Sequence, residues 1–376
     1  MGLALLQSAL IESKDELDRV APAIRTLATD TLRHRDTTAL PDYFLPSVSD
    51  SRRPRVVVCY EQGQLVGVVY TEELLFAGRP TGWVFGGDRM GRGLVLAAPE
   101  REAEVIATAC EHLLANGVHA LRLWWRSTGN EILPILHLQR PGLQVWCKSE
   151  IRPYGDWLHL GASYEDFLQR LGPRTRRNLR HSRRLSEEQG FRFVPELSLQ
   201  AYESAAASLA RHTESPEFRE RDQRDRRFFT HFGKQPGSTV LAGLAAADGR
   251  LVSVLSGVRA GNHLHLLSQF NDESLSRTEV PHISPSLLLR GYLIEHLIPQ
   301  GIASIHFVNG TSAALGRFCD PVLMRAISID SRRSVLHPAK LVTARAARRW
   351  QRRGRWVPVR LRGLLGSYMA GVQATP

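Results

Sequence analysis

Twice along the chain, β-branched runs joined by tight turns are followed by one helix and then one further strand, an order that admits few folds. In the first half, residues 12–33 have helical spacing, and residues 55–60 and 64–71 are strand runs joined by Glu61-Gln62-Gly63, a hairpin signal. Residues 93–98 read as another strand. Pro99 then opens a helix with Glu100 and Glu102 in its first turn, where carboxylates suit the positive end of the dipole. Val105, Ile106, Ala109, Leu113 and Leu114 form its core stripe, Asn116-Gly117 stop it, and residues 118–125 are the next strand. The second half repeats the order without repeating the sequence. After a short strand at 157–160, helical material at 163–188 and 199–211 and a polar loop at 213–227, strands are expected at 239–246, 251–258 and 263–270. Asp248-Gly249 and Ala260-Gly261-Asn262 are their turns. A helix over 285–298, a strand over 302–308, a short helix after Thr311 and a strand over 322–329 complete this half. An antiparallel meander, a helix, and a strand returning beside the last meander strand make an α+β domain. The 376 residues suit two of them, at 1–150 and 151–330, leaving 331–376 as a tail.

Charge sets that tail apart. Eleven Lys and Arg residues and no acid follow Asp330, against a net charge of +12 for the whole chain. The first 330 residues are therefore close to neutral, which excludes a uniformly basic nucleic-acid-binding body and leaves a basic appendage. The arginines alternate with Trp350, Trp356, Val357, Val359, Leu361, Leu364 and Leu365, the composition of an interfacial anchor for an anionic membrane surface. Docking on nucleic acid, or on an acidic protein such as acyl carrier protein, fits the same residues, as does a helix packed on the body. No basic n-region precedes the apolar N-terminus, and Leu6 stands where a myristoylation motif wants Ser or Thr. Cys59, Cys110, Cys147 and Cys319 form no CxxC pair and have no histidine at zinc spacing, so free thiols and no metal are expected. A cytoplasmic protein, peripheral at most to the inner membrane, follows.

The block Tyr164-Glu165-Asp166-Phe167-Leu168, then Arg174-Thr175-Arg176-Arg177-Asn178-Leu179-Arg180-His181-Ser182-Arg183-Arg184-Leu185, then Gly190 resembles a segment of a known family. That family is the GNAT-like acetyltransferases associated with bacterial polysaccharide and cellulose biosynthesis, tandem-domain proteins related to the peptidoglycan aminoacyl transferases. Ser284-Pro285-Ser286-Leu287-Leu288-Leu289 resembles its helix start and residues 302–310 its strand-then-glycine segment, so the resemblance covers roughly 155–330. Ser286 stands where the family usually has Gly, and residues 311–317 where a tyrosine-lysine pair usually follows. The resemblance implies two tandem GNAT-like domains with mixed, mainly antiparallel sheets flanked by helices, to which the charge pattern adds a basic helical tail. It implies transfer of an acyl group from coenzyme A, or an acyl carrier protein thioester, to the amine of a small molecule or peptide. Two alternatives stand beside it: an aminoacyl transferase using charged tRNA, and a non-catalytic protein recruiting partners to a membrane.

Such a transfer needs a held donor, a polarised carbonyl and a proton acceptor. Ser284 as N-cap, Pro285 and Ser286 make a helix end able to bind the donor's phosphates, and Arg277 precedes it. The alternative is an ordinary capped helix. Arg89-Met90-Gly91-Arg92-Gly93 in the first half reads better as a turn, so the donor belongs to the second half and the N-terminal domain has lost its own site. Strict alternation along 263–270 turns His263, His265 and Gln269 to one face and Leu264, Leu266 and Phe270 to the other. The first three would line an acceptor groove or an open sheet face. His282, Asn309 and Gln269 are the candidates for chemistry at the reacting amine, and the strands near Gln269 and Phe307 should diverge into a slot for the donor's arm. Arg176, Arg177 and Arg180, with Asn178, could face an anionic ligand or pair with acidic neighbours.

Overall fold

The computed structural model describes residues 6–32, 39–45, 48, 52–76, 78–87, 94–127, 142–152, 156–210, 239–272, 275, 284–308, 311 and 313–331. The first half runs β1 (Gln7–Ile11), α1 (Lys14–Thr26), α2 (Pro41–Phe44), β2 (Arg52–Pro54), β3 (Val56–Glu61), β4 (Gln64–Val69), β5 (Glu72–Phe76), β6 (Arg79–Gly86), β7 (Val95–Ala97), α3 (Glu102–Ala115), β8 (Ala120–Arg126) and β9 (Leu143–Arg152). The second runs β10 (Trp157–His159), α4 (Tyr164–Arg170), α5 (Pro173–Glu188), β11 (Arg192–Val194), α6 (Leu199–Ala210), β12 (Thr239–Ala245), β13 (Leu251–Ala260), β14 (His263–Asn271), α7 (Pro285–Leu297), β15 (Ser304–Phe307), α8 (Ala313–Gly316) and β16 (Val322–Ser331).

Three sheets result: β1-β3-β4-β7, β2-β5-β6-β8-β16-β9, and β10-β15-β14-β13-β12-β11. All neighbours are antiparallel except β6 with β8 and β14 with β15. The β3–β4 hairpin is covered on both faces, which explains its continuous run of valines. Val57, Cys59 and Val69 meet α3 through Val105, Ile106 and Cys110, while Val56, Val58 and Val68 meet Leu17 and Ile24 of α1. Helix α1 starts where it does because Ser13 Oγ accepts from Glu16 N while Glu16 Oε2 accepts from Ser13 N, a capping box. In the second half, α7 lies on one face of the β12–β14 meander through Leu288, Leu289 and Leu293, and α6 lies on the other through Tyr202, Ala206 and Leu209.

Strand β16, which lies within 151–330 in sequence, enters the first-half sheet between β8 and β9. Its residues pair with β8 from Met324↔Arg126 to Asp330↔Ala120, and with β9 from Val322↔Arg152 to Ser331↔Leu143. Ile327 and Ile329 then join Leu121, Leu123 and Trp125 in the core beneath α3. Alternation marks such a strand but not its partner, since pairing across two hundred residues leaves no local signal. The tail beyond Ser331 lies outside the described residues. The four cysteines are free, three of them buried. No described helix is long and apolar enough to cross a membrane, and no described group of three His, Cys, Asp or Glu residues is placed to hold a metal ion.

Candidate functional site

Strands β14 and β15 run parallel for four rungs, from His263↔Ser304 to Leu266↔Phe307, where β15 ends; this end of the shared ladder is the fork. Val308 N donates to Leu266 O at 3.1 Å as the final contact. Past that point β14 continues to Asn271, held by β13 on its other edge. The fork lies beside the start of α7. There Ser284 Oγ accepts from Leu287 N at 3.5 Å, Pro285 is the buried first helical residue, and Ser286 is half-buried. The expected helix end is thus present, and it abuts the fork: Ser286 O accepts from Gln269 Nε2 at 3.1 Å.

That contact overturns the alternation read from the sequence. Ser256 faces Ser268 and Gly257 faces Leu266, so Leu267 is an extra residue in β14, a β-bulge that reverses which face later side chains take. Leu264 and Leu266 lie under α7, whereas Leu267 and Phe270 lie under α6. Gln269 is carried to the α7 face, opposite His263 and His265, and does not share a groove with them.

Gln269 meets a residue that the sequence reading did not single out. Arg290, on α7, donates through Nε to Gln269 Oε1 at 2.6 Å and through Nη1 to Thr311 Oγ1 at 2.7 Å. Its Cζ stands 5.0 Å from the Phe307 ring centroid. One guanidinium therefore spans the fork, from the free run of β14 to the chain just beyond β15. Burial pushes its pKa down to about 10. The available signal was a lone cation in Leu287-Leu288-Leu289-Arg290-Gly291-Tyr292-Leu293-Ile294. The Gln269 amide also lies 3.3 Å from Ser253 Oγ and 3.2 Å from Asn271 Oδ1, which fixes its orientation.

The two histidines sit on the far face, in a packed polar cluster. His265 and His306, both fully buried, bring their Nδ1 atoms within 3.1 Å, so one of them donates. His263 Nδ1 lies 2.7 Å from Ser304 Oγ. Trp157 stacks on His306 with centroids 4.6 Å apart and presents its edge to His263 and His265. Arg126 of the first half pairs with Asp156 beside His306. Trp157 and the Arg126–Asp156 pair thus pack beside these histidines on this face. Cys319 is buried, its thiol pushed up to about 12 by desolvation and nearby carboxylates, and so stays protonated at neutral pH.

Helix α5 buries Thr175, Leu179, Ser182 and Ser186 and turns its cations outward. Arg180 is already held by Glu165, at 2.7 and 2.9 Å. Arg183 pairs with Glu187 and Glu295 and lies over the Tyr164 and Tyr292 rings. Arg176, half-buried, and exposed Arg177 form no ion pair with a described residue, and Asn178 is exposed. His282, Asn309, Arg277 and residues 88–93 lie outside the described residues.

Residues 173–314 match the family model described as an Acetyltransferase (GNAT) domain. Among solved structures, the chain is similar to FemX at 12% identity and TM-score 0.58, covering 88% of this chain and 99% of that one. It is also similar to L-PGS from Bacillus licheniformis (12% identity, TM-score 0.47, 85% of this chain and 94% of that one). A tandem GNAT protein from the clavulanic acid biosynthesis pathway aligns at 13% identity and TM-score 0.48, over 87% and 98%. At these identities the likeness to FemX is one of fold. No curated protein matches the sequence.

Proposed function

We propose that this chain, whose residues 173–314 form a GNAT-type acetyltransferase domain, is an N-acyltransferase that moves an acyl group from a coenzyme A thioester to an amine. The observation that carries the reading is the fork between β14 and β15 with a helix start at its side. A thioester on a long arm needs such a gap, and its phosphates need the free backbone N–H groups of a helix N-terminus, here those near Ser284, Pro285 and Ser286. Arg277 precedes that helix and is the candidate second phosphate ligand. Amine attack requires alignment, charge stabilisation and a proton acceptor more than covalent help from the protein. His282 and Asn309 remain the candidate groups at the amine. The first half has no equivalent gap among its described residues: β7 and β8, the strands that α3 joins, lie in different sheets, and β6 occupies the place beside β8. This supports a donor site in the second half alone.

A second reading, aminoacyl transfer from charged tRNA, rests on the resemblance to relatives of the peptidoglycan aminoacyl transferases and on the eleven basic residues after Asp330. Thermal melting separates the readings. Acetyl-CoA at a hundredfold excess over its Kd should stabilise the full chain by ~2.7 kcal/mol, a shift of several degrees. Stabilisation by aminoacyl-tRNA alone would select the second reading, and stabilisation by neither of these, nor by an acylated carrier protein, a non-catalytic binding protein. Acyl carrier protein is the alternative carrier of the thioester, and a cytoplasmic location and contact of 331–376 with anionic lipid complete the proposal. The tail is tested by co-sedimentation with anionic and neutral vesicles, using a chain ended after Ser331 as control; equal sedimentation of that shortened chain sinks the membrane contact.

A further inference from the structure

We propose that Arg290 is a catalytic residue of the transfer, its guanidinium holding the carbonyl oxygen under attack and the negative charge that forms on it. The inference rests on the acyl-transfer reading above and goes beyond it in naming the group that stabilises the charge. Arg290 is the cation that spans the fork, fixed by Gln269 Oε1 on one side, Thr311 Oγ1 on the other and the Phe307 ring. Those two bonds use two of five N–H groups, and no carboxylate among the described residues pairs with the rest. A buried charge that meets only neutral oxygens among the described residues is costly to keep. What the charge adds is a positive potential at the fork, where low dielectric strengthens it. Burial lowers the guanidinium pKa only to about 10, so it stays protonated at neutral pH.

In the step, the amine nitrogen bonds to the carbonyl carbon, and the carbonyl π pair moves onto oxygen beside Arg290. Collapse restores the carbonyl and breaks the carbon–sulfur bond. The amine's proton leaves, through an acceptor, to the departing thiolate, and Arg290 keeps its own proton throughout.

The test uses the full chain with acetyl-CoA as donor, measuring thiol release with a panel of primary amines and with water as acceptor. Calorimetry gives the Kd for acetyl-CoA in parallel. R290Q should lower kcat by ~10²–10³-fold while Kd moves less than ~threefold, and R290K should recover at least ~tenfold of that loss. If R290Q shows no cooperative melting transition, R290M takes its place with the same expectation. Unchanged kcat in a folded variant overturns the proposal. So does a kcat loss matched by an equal loss of binding, which would make Arg290 a wall of the slot. Wild-type protein that neither binds nor cleaves acetyl-CoA overturns the donor reading, and this assignment with it.

Discussion

His112, near the end of α3, accepts or donates at 2.7 Å to Ser8 Oγ, and burial followed by the charge of Arg55 lowers its pKa below 6.5. Below that value the unfolded chain binds a proton that the folded chain refuses, so stability rises with pH across the window just under 6.5. Melting temperatures between pH 5 and 7 should show that slope, and His112→Gln should flatten it; an unchanged slope assigns it elsewhere. Gly87 is constrained by space. Its φ is +65°, and a Cβ there would stand 1.6 Å from the Trp124 carbonyl oxygen, a backbone atom that cannot swing aside. Gly87→Ala should cost ~2 kcal/mol or more, read by urea unfolding. At the site, Gln269→Glu sets a carboxylate against Arg290 and cancels the potential that the fork offers. Turnover should fall at least ~tenfold with the fold retained, and undiminished turnover would mean the charge is idle.

At the scale of elements, α5 divides into two ends with different work. Its C-terminal cations are spent on Glu187, Glu188 and Glu295, and Arg180 on Glu165, an exposed pair of the kind worth ~0–1 kcal/mol. Arg176 and Arg177 remain as the anion-binding candidates. Charge reversal at both should lower turnover at least ~tenfold with a melting temperature near that of wild type, whereas Arg180→Ala should do little. Unchanged kinetics in the double variant would leave them as solvated surface. The same scale shows what periodicity can and cannot give. The hairpin β3–β4, helix α3, the β12–β14 meander and α7 were readable because turn residues and apolar spacing are local. The β5–β6 hairpin and β9 were not: β5 alternates weakly, and β9 exposes Trp146 and Ile151 on an edge. The inserted Leu267 was invisible as well, because a bulge is a mismatch between two strands and no single strand records it. That one residue placed Gln269 on the wrong face and hid its contact with Arg290.

For the whole molecule, β16 decides how the chain can be divided. Strand β9 has β16 as its pairing partner, and β8 has β16 on one side. A chain ended at residue 155 should therefore fail to give a soluble first half, and adding residues 156–376 as a separate chain should rescue it; independent folding of 1–155 would refute this. Element order suggests a cut near 150 and carries no trace of where β16 pairs, because the strand's destination cannot be read locally. Ser331 still pairs with Leu143, so any trimming of the basic tail has to begin after it. The arrangement also sets a schedule. During synthesis the last residue of β9 leaves the ribosome long before Ser331 does, and at ~5–20 residues per second that interval is on the order of ten to forty seconds. Throughout it the first half waits with an unfilled place in its sheet, exposing strand edges and the apolar side chains that Ile327 and Ile329 later cover. Nascent chains of this protein should thus be long-lived clients of ribosome-associated chaperones, and a stop codon just before β16 should disable the first half although it lies far downstream of it.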